Sequence, residues 1–302
     1  MTLKWCALLV ALWVAAGAAT AQDKPDNPEN VTTVTVTANL PPDRMSKPLT
    51  TIVVTEPADL RTLADKAGYD GKSPANFLFV VEKQTTIMGK PGGGTAIDTG
   101  DWPDTAYLAL AINGKVYGGG GNGGDGGPVP GAKSGTKGGD AIYVRAPILI
   151  VIAETGTVEG GGGGGGGAEV SGGSIGEGQG APGGGGGGGG FPNGQYGIGG
   201  SGGNGGANNG RPGTLHSPGR GGNNHSVTGW YWSGSIIPPP MSGSASTMAN
   251  ATPGGNGGNA GRDGEPGLGD RGRGGGAGGY AVRANNIPVE LILSGRIRGE
   301  IG

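Results

Sequence analysis

Hydrophobic and polar residues follow two different rhythms along this chain. The first is a strand rhythm. Val31-Thr32-Thr33-Val34-Thr35-Val36-Thr37 and Thr50–Thr55 alternate β-branched and polar positions, as half-buried strands do. Pro25, Pro28, Pro41, Pro42, Pro48 and Pro57 punctuate that region, so residues 22–57 read as an extended arm or docking segment. Val34–Ala38 also has the look of a TonB box, a short pattern that many Thr/Val strands share. Residues 58–69 switch to a helical period: Leu60, Leu63, Ala64 and Ala67 fall at i, i+3, i+4 and i+7, and Gly68 supplies a stop.

Apolar runs then recur with a common ending. Phe77–Val81 leads to Thr86-Ile87-Met88-Gly89, and Tyr107–Ile112 leads to Gly114-Lys115-Val116-Tyr117-Gly118. Ile148–Ala153 leads to Gly156-Thr157-Val158-Glu159-Gly160, and Val289–Leu293 leads to Gly295-Arg296-Ile297-Arg298-Gly299. An internal repeat of this kind is the first thing to seek in such a chain. Asn113-Gly114 and Ser294-Gly295 carry the residue types of two-residue hairpin turns, so each unit is expected to be a β-hairpin.

The second rhythm belongs to glycine. The chain has 302 residues, of which 76 are glycine and 22 proline, a share at which aperiodic chains are disordered. Only 9 glycines precede residue 118, and 67 follow. In that second part they keep a period. Asn122, Asp125 and Pro128 are spaced by three within glycine, as are Ser201, Asn204 and Ala207. Glycine stands at 255, 258, 261, 264 and 267, and Gly160–Gly167 and Gly183–Gly190 are uninterrupted.

A period of three fits a left-handed extended helix rising about 3.1 Å per residue, so eight residues span about 25 Å. Such a helix has no internal hydrogen bonds, so its N–H and C=O groups need partners on neighbouring tracts. Glycine permits the close approach this requires. Collagen is excluded, because glycine does not hold every third position without break. The expected fold is mostly β and irregular: a short helix and a layer of repeated hairpins leading into packed left-handed polyglycine II helices, with no large α domain.

Charge and chemistry narrow the function by exclusion. Lys plus Arg is 21 against 23 acidic residues, for a net charge of −2, with no basic face for nucleic acid. Cys6 is the lone cysteine, and His216 and His225 lie apart in a Gly/Ser-rich stretch. No catalytic residue, metal ligand or cofactor site is expected. Gly120–Asp125 begins like a calcium-binding nonapeptide, but Gly127 stands where a large apolar residue is required.

Residues 1–21 have the form of a secretory signal: Lys4, the apolar run Trp5–Ala16, then Ala19-Thr20-Ala21. The remaining divisions are a helix-plus-β attachment region over 58–117 and a glycine-rich domain over 118–302, with a non-repeating insert at 214–253. That insert holds Trp230, Tyr231, Trp232, Ile236 and Ile237 among Ser, Gly and Asn, the composition of a binding surface. A cap over a glycine layer that lacks side chains of its own would use the same tryptophans. Phe191 and Tyr196 interrupt two further glycine tracts.

The helix followed by Gly-Tyr-Asp-Gly-Lys-Ser-Pro (68–74), then Ala96–Pro103, then Asn113–Gly127, resembles the glycine-rich receptor-binding proteins at bacteriophage tail-fibre tips. The likeness spans roughly residues 58–302. It implies a sandwich of polyglycine helices whose connecting loops carry host specificity, with Phe191, Tyr196 and the Trp230–Trp232 loop as receptor contacts. It further implies a non-enzymatic adhesin in the virion, partnered by a bacterial surface protein or glycan and by other tail-fibre proteins through the N-terminal region. Self-association is a further option. The signal-like segment supports the rival expectation, a secreted or cell-envelope structural protein of a bacterium.

Overall fold

A computed structural model of the chain describes residues 49–128, 131–170, 184–200, 207–222, 253–268 and 272–302, plus a two-residue antiparallel ladder between Ala7–Leu8 and Ala38–Asn39. The rest of residues 1–48, including the Val31–Thr37 alternation, lies outside the described residues. The end of the expected arm does not stand apart: β1 (Leu49–Val53) is the outer strand of a five-stranded sheet.

The chain next forms β2 (Ala58–Asp59) and α1 (Leu60–Lys66). The Asp59 carboxylate caps the helix by accepting the Thr62 N–H at 2.8 Å. Gly68, at φ +96°, ends it in the left-handed conformation that glycine adopts most readily. Leu60 and Ala64 are fully buried, so this one short helix closes the first end of the apolar core.

The apolar repeats are real, but their pairing is parallel. β3 (Ala75–Val81), β6 (Ala106–Ile112), β10 (Ile148–Ile152) and β14 (Val289–Leu293) lie side by side in one sheet with β1. β4 (Thr86–Met88), β7 (Lys115–Tyr117), β11 (Thr157–Glu159) and β15 (Arg296–Arg298) form a second sheet. β2, β5 (Ile97–Asp98), β9 (Ile142–Tyr143) and β13 (Val282–Arg283) form a third. Each of the three inner coils contributes one strand to each sheet, so like residues stack. Phe79, Leu110 and Ile150 share one level, Val81, Ile112 and Ile152 the next, and Ile87, Val116 and Val158 a third, all buried.

The expected hairpins are corrected by this register. Gly114 and Gly295 lack the positive φ that the primed hairpin turns demand. Their place is a corner. The Asn113 and Gly114 N–H groups donate to the Val81 carbonyl of the coil beneath, at 2.9 and 3.2 Å. A Cβ on Gly114 would lie 2.3 Å from the Glu82 carbonyl oxygen. Glycine is needed there because backbone meets backbone. Trp102 packs with Tyr69, Phe77 and Phe79 at centroid distances of 5.2 to 6.2 Å, a structural role.

Glycine tracts leave the solenoid after β7 and β11 and hydrogen-bond sideways every third residue. In tract 160–168, the N–H groups of 161, 164 and 167 donate to Gly139, Thr136 and Lys133. Those of 162, 165 and 168 donate to Phe191, Gly188 and Gly185, and those of 163 and 166 to Arg262 and Glu265. The same tract accepts from Gly121, Gly124 and Gly127, from Gly255 and Gly258, and from Arg273, Gly276 and Gly279. Three donating directions in steps of three are what a helix with three residues per turn presents. Six neighbours around one tract make a hexagonal lattice.

Tract 184–191 is enclosed in the same way, by 118–128, 160–168, 253–258, 219–222, 207–213 and 194–200. The two uninterrupted glycine runs are therefore the two central tracts. Any Cβ on residues 160–167 would sit 1.8 to 2.1 Å from a neighbouring carbonyl oxygen. Edge tracts have open sides and carry a side chain on them.

Some of these edge side chains bolt tracts together. Asp125 accepts the Lys133 ammonium at 2.8 Å on one neighbour and the Ile198 N–H at 2.9 Å on another. The Lys133 hydrogen bond and then the Ile198 N–H hold the Asp125 carboxyl below the usual carboxylate range. A depressed pKa stabilises the fold above the unfolded-state value, and that stability is lost as pH falls through the folded-state value. Asp125→Ala should therefore cost about 1 kcal/mol at pH 7, the ion pair being largely exposed. The difference in Tm between variant and wild type should narrow as pH falls below the ordinary carboxylate range; thermal melts across pH check it.

Candidate functional site

The lattice has two ends. At one, tracts begin directly after β7 and β11 and return directly to β9 and β13. The turns at 191–194, 214–218 and 259–262 lie at this sheet-proximal end, as the direction of each tract requires. At the opposite end the described tracts stop at Pro128, Val170, Gly200, Gly222 and Leu268 and resume at Gly131, Gly184, Ala207, Pro253 and Gly272. The tracts flanking each turn are hydrogen-bonded near the bend. Ala168 donates to Gly185, Ala207 to Gly200, Gly254 to Gly222, Gly267 to Arg273 and Lys133 to Asp125. A two-residue parallel ladder, Gly127–Pro128 (β8) with Glu169–Val170 (β12), joins two of the tracts here.

Of the residues expected to contact a receptor, the two described ones, Phe191 and Tyr196, lie apart. Trp230, Tyr231, Trp232, Ile236 and Ile237 lie outside the described residues. Their insert departs from Gly222 and returns at Pro253, both at the far end. Residues 214–222 are not part of that insert: they form a sheet-proximal turn and an edge tract, so the insert is shorter than residues 214–253. His216 sits in that turn, its N–H on the Thr214 hydroxyl at 3.3 Å.

Phe191 is at the sheet-proximal end and is only 8% exposed. Its ring meets Tyr117 edge-on, with centroids 5.4 Å apart. Next to it, Asn193 accepts the Gly120 N–H and donates to the Gly89 carbonyl, both at 2.9 Å. This pair of residues fastens the lattice to the solenoid. Tyr196 is 46% exposed on the flank, in tract 194–200.

Residues 49–302 match the family model of the phage tail fibre adhesin Gp38. The chain belongs to that family. The Gp38 member described here is also similar to a solved structure, the gp37-gp38 adhesin tip complex of the bacteriophage S16 long tail fiber. The identity is 26% and the TM-score 0.51, covering 85% of this chain and 82% of that chain. No curated relative matches it. Family and structural likeness together give this Gp38 protein a role in phage attachment and a place on the virion tail.

Proposed function

We propose that the protein is a terminal tail-fibre adhesin that docks through its N-terminal region and solenoid and binds a bacterial surface protein or glycan with the far end of the glycine lattice. It acts by binding alone. One observation supports this reading: the described tracts that flank the longer connections end opposite the sheets, and the connection between Gly222 and Pro253 carries Trp230, Tyr231, Trp232, Ile236 and Ile237 in sequence. Aromatic anchors of this kind dominate binding energy at interfaces. The related S16 structure is a complex of gp38 with gp37, and the same kind of fibre partner suits the sheet end of this chain.

The test is adsorption. Virions carrying Trp230→Ala and Trp232→Ala should adsorb at least about 30-fold more slowly, the effect of two hot-spot residues at roughly 1 kcal/mol or more each. The Tm of the purified protein should not change. Unaltered adsorption would remove the insert from the receptor contact.

A further inference from the structure

The flank of the lattice carries a second feature that the tip does not require. Tracts 194–200, 207–213 and 219–222 lie side by side along one edge. Gly210 donates to Gly197 and Gly213 to Gly194, so the antiparallel register sets Tyr196 beside Arg211. The Arg211 N–H donates to the Arg220 carbonyl at 2.8 Å, so Arg220 continues the row on the third tract. All three residues are exposed.

This row stands out electrostatically. Arg61, Arg145, Arg283, Arg296 and Arg298 each have a carboxylate partner. Among the described residues, no carboxylate pairs with Arg211 or Arg220. Residues 178–262 contain no Asp or Glu at all. Two guanidinium groups thus lie beside an exposed phenol ring, and the carboxylate next to this edge, Asp125, is already engaged by Lys133 and the Ile198 N–H.

We infer that this flank is a binding site for an anionic saccharide, with Tyr196 under a sugar ring and Arg211 and Arg220 on its phosphate or carboxylate. Arginine suits this task because its planar fork meets such oxyanions in bidentate fashion. An aromatic face provides rigid contact area at low entropic cost. The exposed apolar residues nearby, Ile198 and Leu215, are scattered and give no apolar centre of the type protein partners need. Tyr196 lies four residues from Gly200, about 12 Å back from the far end. Only a cell-surface source of the ligand rests on the attachment reading; the site itself does not.

The experiment uses the full-length protein on three immobilised saccharide probes and on polyglutamate. One is the phosphorylated core oligosaccharide of bacterial lipopolysaccharide, one is the same oligosaccharide after phosphate removal, and one is polygalacturonate. Wild type should be retained on a charged probe, and retention should fall about tenfold between 50 and 300 mM salt. Retention on phosphate alone or on uronate alone identifies the anion. The Arg211→Gln, Arg220→Gln pair should lose at least tenfold in retention with Tm unchanged. Arg211→Lys, Arg220→Lys should keep part of it, and Tyr196→Ala should weaken every charged probe.

Equal retention of wild type and the Gln pair would overturn the site. So would retention on neither the phosphorylated oligosaccharide nor polygalacturonate, or stronger retention on polyglutamate than on any saccharide. The Trp230→Ala, Trp232→Ala protein should bind these probes normally. A failure of the tip reading therefore appears in adsorption, and a failure of the flank site appears in retention.

Discussion

Gly164→Ala should destroy the glycine lattice. The added methyl would lie 1.9 Å from the Asn122 carbonyl oxygen and 2.3 Å from its carbon. No rotamer relieves this clash, because both partners are backbone. Nor can the tract shift, since Gly164 donates to Thr136 and accepts from Gly276 on two other sides. Overpacking a core by one methyl costs roughly 1–3 kcal/mol when side chains can yield; here nothing yields, so at least about 3 kcal/mol is expected. For a domain of this size that lowers Tm by roughly 6–12 °C, and virions with the change should lose adsorption. Gly274→Ala is the matched control. Its Cβ would meet nothing within 4 Å, and its φ is not positive. That variant should be neutral, or more stable by roughly 0.4–1 kcal/mol through a stiffer unfolded chain. If the two alanines melt alike, close packing of the central tracts is not what holds the domain.

Phe191→Ala should separate architecture from recognition. Read as a receptor contact, Phe191 would affect adsorption alone. Its burial against Tyr117 at the junction gives the opposite result. Truncating a buried phenylalanine costs about 3–5 kcal/mol, so Tm should fall while the folded fraction still binds cells at low temperature. Normal Tm with lost adsorption would return Phe191 to the receptor surface.

Much of the fold can be read from residues whose roles are local or periodic. The helix is two residues shorter at its start than Ala58–Tyr69 suggests, because Asp59 caps it and Ala58 joins a sheet. The period of three in glycine is legible because each third residue faces a different neighbour. A pure run means a tract with no open side. Strand direction is harder, since parallel and antiparallel pairs use the same apolar residues. Asn113-Gly114 has the residue types of a hairpin turn, yet its glycine answers to a carbonyl one coil away. The repeat spacing held the answer: units 29 and 42 residues apart, by their closing glycines, are too long for hairpins and suit parallel coils.

The position of Phe191 was encoded too, in parity. A tract leaving the sheets at Gly160 reaches the far end near Ala168, and the next tract comes back. Phe191 follows that return and must lie near the sheets, whereas the insert after Gly222 follows an outward tract. Residue type singled out both segments as aromatic. Counting tract reversals distinguishes the one beside the sheets from the one whose flanking tracts end far from them. The flank row has no signal in local sequence, because Tyr196, Arg211 and Arg220 become neighbours only through the register of three tracts. The absence of acid over residues 178–262 is the trace it leaves.

The hydrogen bonds at the foot of each outer turn have a consequence for inheritance. Where Gly254 meets Gly222, the two ends of the insert are already joined, whatever the chain does between them. Closing a loop between fixed ends costs only about 0.6 kcal/mol more for each doubling of its length. The segment can therefore grow, shrink or be exchanged for another without a compensating change in the lattice. A lineage of such proteins could rewrite what it recognises by recombination at glycine codons while its scaffold stays under the tightest steric selection a backbone can impose.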